Sequence, residues 1–251
     1  MNKIGIFDSG IGGVTVLNEI IKVLPNEDYI YYSDSKHNPY GDKTEKEIFE
    51  YSQNIVKYLI SKDCNVIVIA CNTASAICAN KLRKLYPEQI IVAIEPAYKM
   101  VHDYEPKGRT LVMATKRTIH SEKFNILFKK YDNHKTILLP CKGLADIIEN
   151  GKKEEIKQYL STILHDYKGK IDNVVLGCTH YPLIKDEIQE ALERKINFFD
   201  GANRLAIHLK KLIPQENQGT GEIIFVDSSN IKGKEEKFLK KLKNFKKTID
   251  N

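Results

Sequence analysis

The chain has 251 residues, 42% of them hydrophobic, enough to bury one large core or two of modest size. No apolar run approaches a membrane span, and Met1-Asn2-Lys3-Ile4-Gly5-Ile6-Phe7 enters a strand with no signal-peptide apolar region, so a cytoplasmic protein without a membrane partner is expected. The net charge of +6 is thickest near the C-terminus, where Phe238, Leu239, Leu242 and Phe245 recur at helical spacing among lysines; this reads as an amphipathic helix with a solvated face rather than a nucleic-acid interface, and leaves a field that favours an anionic small substrate.

Lys3 to Phe7 predicts a buried strand, followed by Asp8-Ser9-Gly10-Ile11-Gly12-Gly13 and a helix from Val14 to Leu24. The glycine-rich turn is not a phosphate cradle. Thr15 stands where a dinucleotide site needs its third glycine, no Gly-Lys pair follows, and Asp8 puts a negative charge at the mouth. Nor is it an aspartyl phosphatase loop, since Gly10 stands where a second acid belongs. Asp8 and Ser9 suit contact with an ammonium group, with glycines permitting close backbone approach; they suit a plain helix cap equally well.

Asp28 to Ser33 predicts a second strand, ending in a polar loop that contains Asn38-Pro39-Tyr40-Gly41. A helix over Thr44 to Ser61 leads to Asn65-Val66-Ile67-Val68-Ile69-Ala70-Cys71-Asn72-Thr73-Ala74-Ser75-Ala76, a buried parallel strand delivering a cysteine to a helix start. The helix N-terminus favours a thiolate at Cys71. Ile90 to Ile94 is a further strand, and Glu105-Pro106-Lys107-Gly108 is the best candidate break between two lobes. Beyond it, strands are expected at Arg109 to Ala114, Thr136 to Leu139, Asn173 to Leu176 and Asn197 to Phe199. Thr115-Lys116-Arg117-Thr118 reads as a loop of hydroxyls and solvated cations suited to a carboxylate, and helices flank Gly151. Asn203 to Leu212 is a helix, and Glu222 to Val226 a last strand that returns to the first lobe.

Gly177-Cys178-Thr179-His180-Tyr181-Pro182 repeats the earlier device: an apolar strand, a cysteine at its end, a threonine close behind and a helix start. The imidazole of His180 can exchange a proton with the thiol or with a substrate carboxylate. The other cysteines are Cys64, Cys78 and Cys141; with five in all, a disulfide framework is not expected, and no spacing matches a structural zinc site. Two lobes facing each other would open both thiols on one cleft. A thiol on each side of one carbon is the arrangement that stereoinversion needs.

Through Phe7-Asp8-Ser9-Gly10-Ile11-Gly12-Gly13, Asn38-Pro39-Tyr40-Gly41, Ala70-Cys71-Asn72-Thr73-Ala74-Ser75 and Gly177-Cys178-Thr179-His180-Tyr181-Pro182, the sequence closely resembles the glutamate racemases over almost its whole length. Those enzymes work without a cofactor and supply D-glutamate for bacterial peptidoglycan. The resemblance implies an α/β fold of two pseudo-symmetric lobes with mostly parallel sheets and the active-site cleft between them. The lobe carrying Cys71 would hold residues 1–96 plus 207–251, and the lobe carrying Cys178 residues 97–206. It further implies catalysis by Cys71 on D-glutamate and Cys178 on L-glutamate, aided by Asp8 and His180 respectively. Substrate contacts are implied at Asp8, Ser9, Tyr40, Gly41, Asn72, Thr73, Thr179 and His180, with Thr115 and Thr118 as further candidates; no metal or cofactor is expected. Glu149 matches a family acidic residue without an assigned role, and family members often dimerise. Ala114 departs from the family's usual glycine before Thr115, and Lys116-Arg117 is unusually basic. Competing readings are an aspartate or other amino-acid racemase of the same superfamily, a thiol hydrolase using only Cys178 and His180, and an amino-acid binding module without catalysis.

Overall fold

Uncharged runs such as Val66–Ile69 and Asn173–Gly177 are covered on both faces, as strands of parallel sheets flanked by helices must be. The computed structural model describes residues 3–104, 108–132, 134–213, 219–229 and 231–249, the side chains of 243–249 excepted. The expected break at Glu105-Pro106-Lys107 and the side chain of Phe245 lie outside the described residues. The strands are β1 (Lys3–Asp8), β2 (Asp28–Ser33), β3 (Val66–Ile69), β4 (Ile90–Ala93), β5 (Thr110–Ala114), β6 (Thr136–Pro140), β7 (Asn173–Gly177), β8 (Asn197–Phe199) and β9 (Ile223–Asp227). One sheet runs β4-β3-β1-β2-β9 and the other β6-β5-β7-β8, and every pairing is parallel. Read from its other edge, the second sheet is β8-β7-β5-β6, which repeats β4-β3-β1-β2 strand for strand.

That order places two switch points. From β1 the chain goes to β2 on one side and then returns to β3 on the other; β5, β6 and β7 do the same. Ligands in open α/β sheets sit beyond the carboxyl ends of strands at such reversals. Ser9 and Cys71 follow β1 and β3, and Thr115 and Cys178 follow β5 and β7.

The helices are α1 (Val14–Val23), α2 (Glu45–Ser61), α3 (Asn72–Leu85), α4 (Tyr98–Tyr104), α5 (Lys116–His120), α6 (Glu122–Tyr131), α7 (Leu144–Asn150), α8 (Lys153–Leu164), α9 (Lys185–Leu192), α10 (Ala202–Leu212) and α11 (Lys234–Ile249). Against the first sheet, Leu17 and Ile20 of α1, Leu205 and Leu209 of α10 and Phe238 and Leu242 of α11 fill one face, and Ile55 and Leu59 of α2 and Leu82 of α3 the other. Around the second, Leu144, Leu160 and Ile188 cover one face, and Tyr98 and Phe124 the other. Helix starts are set locally: Thr44 Oγ1 accepts from Glu47 N–H at 3.2 Å while the Glu47 carboxylate accepts from Thr44 N–H at 2.8 Å.

Two expectations change. Thr115 to Thr118 is not a loop but the cap and first turn of α5, because Thr115 Oγ1 accepts from Thr118 N–H at 3.1 Å. Pro182 falls in a 3₁₀ turn over Tyr181–Ile184 that precedes α9, so Cys178 is not followed directly by an α-helix as Cys71 is. No helix among the described residues is long and apolar enough to cross a membrane.

Candidate active site

Cys71 caps α3: its Sγ accepts from Ala74 N–H at 3.5 Å and lies 3.8 Å from Ser9 Oγ, to which its S–H donates. Behind Ser9, Asp8 ends β1 fully buried. One carboxylate oxygen accepts from Gly10 N–H at 3.2 Å and Gly13 N–H at 3.1 Å, and the other from Thr179 Oγ1 at 3.1 Å. Asp8 therefore shapes the turn into α1 and reaches the opposite lobe, while Ser9 turns toward the thiol. Burial pushes the Asp8 carboxyl above its ordinary range, against the pull of His180 and the two N–H donors. Burial first, and the Asp8 charge second, push the Cys71 thiol well above its ordinary value, outweighing the amide of Ala74.

The second thiol has a different neighbour. His180 Nδ1 lies 3.7 Å from Cys178 Sγ, and His180 Nε2 lies 2.8 Å from Glu149 Oε2. The same Glu149 oxygen accepts from Ile11 N–H at 3.2 Å, and the other accepts from the ammonium of Lys234, which opens α11. Burial opposes the charge on both groups. For His180 the contacts with Cys178 and Glu149 outweigh it and raise the imidazolium pKa to about 10; for Glu149 the bonds from His180 and Lys234 hold the carboxyl at about 2. Near neutral pH the pair is an imidazolium and a carboxylate.

This explains the glycine-rich turn after β1. A Cβ on Gly12 would lie 2.4 Å from His180 Nδ1, and one on Gly10 would lie 2.2 Å from Glu149 Oε2. The close approach that these glycines permit is by the acid and imidazole of the other lobe.

Both thiols line one chamber between the sheets, together with Ser9, Tyr40, Gly41, Asn72, Thr73, Thr115 and Thr179; Asn38, Pro39 and Ala145 complete it. Its volume of about 20 Å³ admits the centre of roughly one water molecule. Asp8, Thr118 and His180 stand behind this wall. Tyr40 offers its ring, because its hydroxyl donates to Asp34 Oδ2 at 2.6 Å. Hydroxyls stitch the lobes together: Thr73 Oγ1 lies 3.0 Å from Thr115 Oγ1 and 3.3 Å from Thr118 Oγ1, and Thr15 Oγ1 donates to the Thr179 carbonyl at 3.1 Å. Arg117 Nε donates to the Lys43 carbonyl at 2.7 Å.

The chamber shares Pro39, Gly41, Thr115 and Ala145 with an outer cavity of about 860 Å³. Lys116, Arg117, His120 and Lys142 line that cavity, with Asp42 as its acid. Lys116 and Arg117, read from sequence as solvated loop charges, thus face the approach to the thiols. The sequence assigns Glu149 no role and predicts solvated C-terminal lysines; Lys234 is buried on Glu149 instead. The run Lys232-Gly233-Lys234-Glu235-Glu236-Lys237 carries no local signal of that burial.

Residues 15–208 match the model of the Asp/Glu/hydantoin racemase family. A glutamate racemase of Clostridium perfringens is 44% identical over 218 residues, covering 85% of this chain and 84% of the relative. The crystal structure of glutamate racemase from Escherichia coli in complex with L-glutamate and the activator UDP-MurNAc-Ala superposes with a TM-score of 0.86 at 27% identity, over 97% of this chain and 95% of that one. The enzyme from Francisella tularensis, in complex with D-glutamate, gives 0.80 at 27% identity over 96% and 94%.

Proposed function

The chain belongs to the Asp/Glu/hydantoin racemase family, and on that premise we propose that it interconverts L- and D-glutamate by moving the α-proton between two thiols, with no organic cofactor or metal. The observation that carries this reading is that Cys71 and Cys178, one from each sheet, line a single chamber. Cys178 beside the His180 imidazolium is the readier base. As its thiolate it takes the α-proton of L-glutamate, and the C–H electron pair remains on the α-carbon, spread into the carboxylate. Cys71, whose burial favours the protonated thiol, donates its proton to the opposite face and leaves as thiolate. D-Glutamate follows the reverse course.

Asn72, Thr73, Thr115 and Thr179 offer the hydroxyl and amide groups that hold the two carboxylates, and the basic outer cavity draws the anion in. Glutamate is many times larger than the water-sized chamber. Entry therefore requires the lobes to part at the Thr73, Thr115 and Arg117 contacts, and closure then excludes water from the carbanion.

The test is optical rotation of purified protein with L- and with D-glutamate, in chelator and without pyridoxal phosphate, against aspartate as the control. Racemisation of glutamate in preference to aspartate is expected. Activity only after a cofactor or metal is added, a preference for aspartate, or binding of glutamate without α-hydrogen exchange would each overturn the reading. We place the enzyme in the bacterial cytoplasm, with its D-glutamate bound for peptidoglycan; the chain should relieve a D-glutamate auxotroph, and failure of an active enzyme to do so counts against that role. A homodimer is the proposed assembly, checked by sedimentation.

A further inference from the structure

Among the described residues, Lys234 is a buried lysine for which the proton transfer has given no use. Lys234 is 6% exposed, and its ammonium donates to Glu149 Oε1 and lies 3.5 Å from Asn150 Oδ1. Glu149 Oε2 meets His180 Nε2 at 2.8 Å, and His180 Nδ1 faces Cys178 Sγ at 3.7 Å. An ammonium from the C-terminal helix, a carboxylate, an imidazolium and a thiol thus stand in line.

We infer that Lys234 is a positioning residue for the second thiol, supplying the positive charge that balances this buried line when Cys178 is a thiolate. With Lys234 in place the four charges alternate and cancel. Without it, Glu149 neutralises His180, and a thiolate leaves the line net negative in an interior that penalises uncompensated charge. The other groups around the thiol do not make up the difference: Cys71, Cys141 and Tyr181 are acids, as is Asp8, reached through Thr179. On the far side, Lys237 Nζ reaches the Glu149 carbonyl at 3.5 Å, and burial lowers the pKa of Lys241 beside Glu149. Both of these cations also come from α11, and Lys234 alone among the three contacts the carboxylate. The consequence for turnover rests on the two-thiol reading; the charge balance does not.

The test is alkylation of Cys178 by iodoacetamide across pH, followed peptide by peptide by mass spectrometry. In Lys234→Met the midpoint of Cys178 alkylation should move up by about one pH unit, slowing the reaction about tenfold at neutral pH, while the Cys71 profile stays in place. Lys234→Arg, which keeps the charge, should restore the profile. If Lys234→Met does not fold, Lys234→Gln removes the charge and keeps a donor for Glu149; the same shift is expected. An unchanged Cys178 profile in a folded charge-free variant, or an equal shift at Cys71, overturns the inference. A selective shift in a protein that does not racemise glutamate supports it and refutes the proposed function.

Discussion

Cys71 and Cys178 end equivalent strands of two sheets with the same order, yet their surroundings treat a negative charge in opposite ways. At Cys71 a 14-residue helix offers its amide, but burial and the Asp8 carboxyl work against the thiolate. At Cys178 there is only a short 3₁₀ turn, and a buried imidazolium lies against the sulfur. Repetition of the fold fixes where the thiols stand. Their charges are set by residues outside the repeat pattern, Asp8 on one side and the Glu149 to Lys234 line on the other.

The comparison breaks most completely when either thiol is lost. Cys71→Ser and Cys178→Ser should each lower kcat/KM by about 10³-fold or more, since a hydroxyl is a far weaker acid than a thiol and both protons must move; a rate near that of the parent in either variant removes that residue from the mechanism. Because the two enantiomers have equal free energy, kcat/KM must be the same in both directions. Asymmetry between the thiols shows in kcat and KM separately.

His180→Asn should cost about 10²-fold in kcat/KM. It should also change how stability depends on pH. His180 titrates near 10 in the folded protein against 6.5 for the free side chain, so its contribution is full below about 6.5 and is lost as pH rises through 10. Glu149 titrates near 2 against 4.5, so its contribution is full above about 4.5 and is lost as pH falls through 2. Thermal melts of the parent should therefore weaken between pH 7 and about 8, below the range where the buried thiols of Cys64, Cys71, Cys78 and Cys141, also raised by folding, add a loss of their own, and those of His180→Asn should stay nearly flat there. Parallel curves would show that the imidazole does not titrate as described.

Ser9→Ala acts on the other thiol alone. Losing one neutral hydrogen bond should lower kcat by about three- to tenfold, with the alkylation profile of Cys178 unmoved. A change confined to Cys178 would reverse the assignment of Ser9. The smallest effect belongs to the shared approach: Lys116→Ala with Lys142→Ala should lower kcat/KM severalfold at low salt, and the difference should fade as ionic strength rises. A salt-independent loss would mean that these lysines do something other than steer an anion.

Much of this was legible in the chain. The runs Val66–Ile69 and Asn173–Gly177 declare themselves as buried strands because nothing charged interrupts them, and the cysteine after each follows from strand length alone. Glycines 10 and 12 were visible, but their purpose was not, since the groups they admit lie more than a hundred residues away. The sequence predicts a loop at Thr115 because a five-residue helix is too short for a periodic signal, and only its cap reveals it. Lys234 was hidden by its company: in a run of lysines and glutamates, one buried ammonium looks like its solvated neighbours until Glu149 is found beside it.

The central claim, that each thiol serves one face of the same carbon, is tested most directly in deuterium oxide. L-Glutamate is given to the enzyme and the first turnovers are examined by mass spectrometry, with product and recovered substrate separated by a chiral column. The two-thiol account predicts D-glutamate carrying deuterium at the α-carbon from the first turnover, while the recovered L-glutamate retains its protium. D-Glutamate that keeps the original α-protium would mean that one group takes and returns the same proton, and would contradict the account.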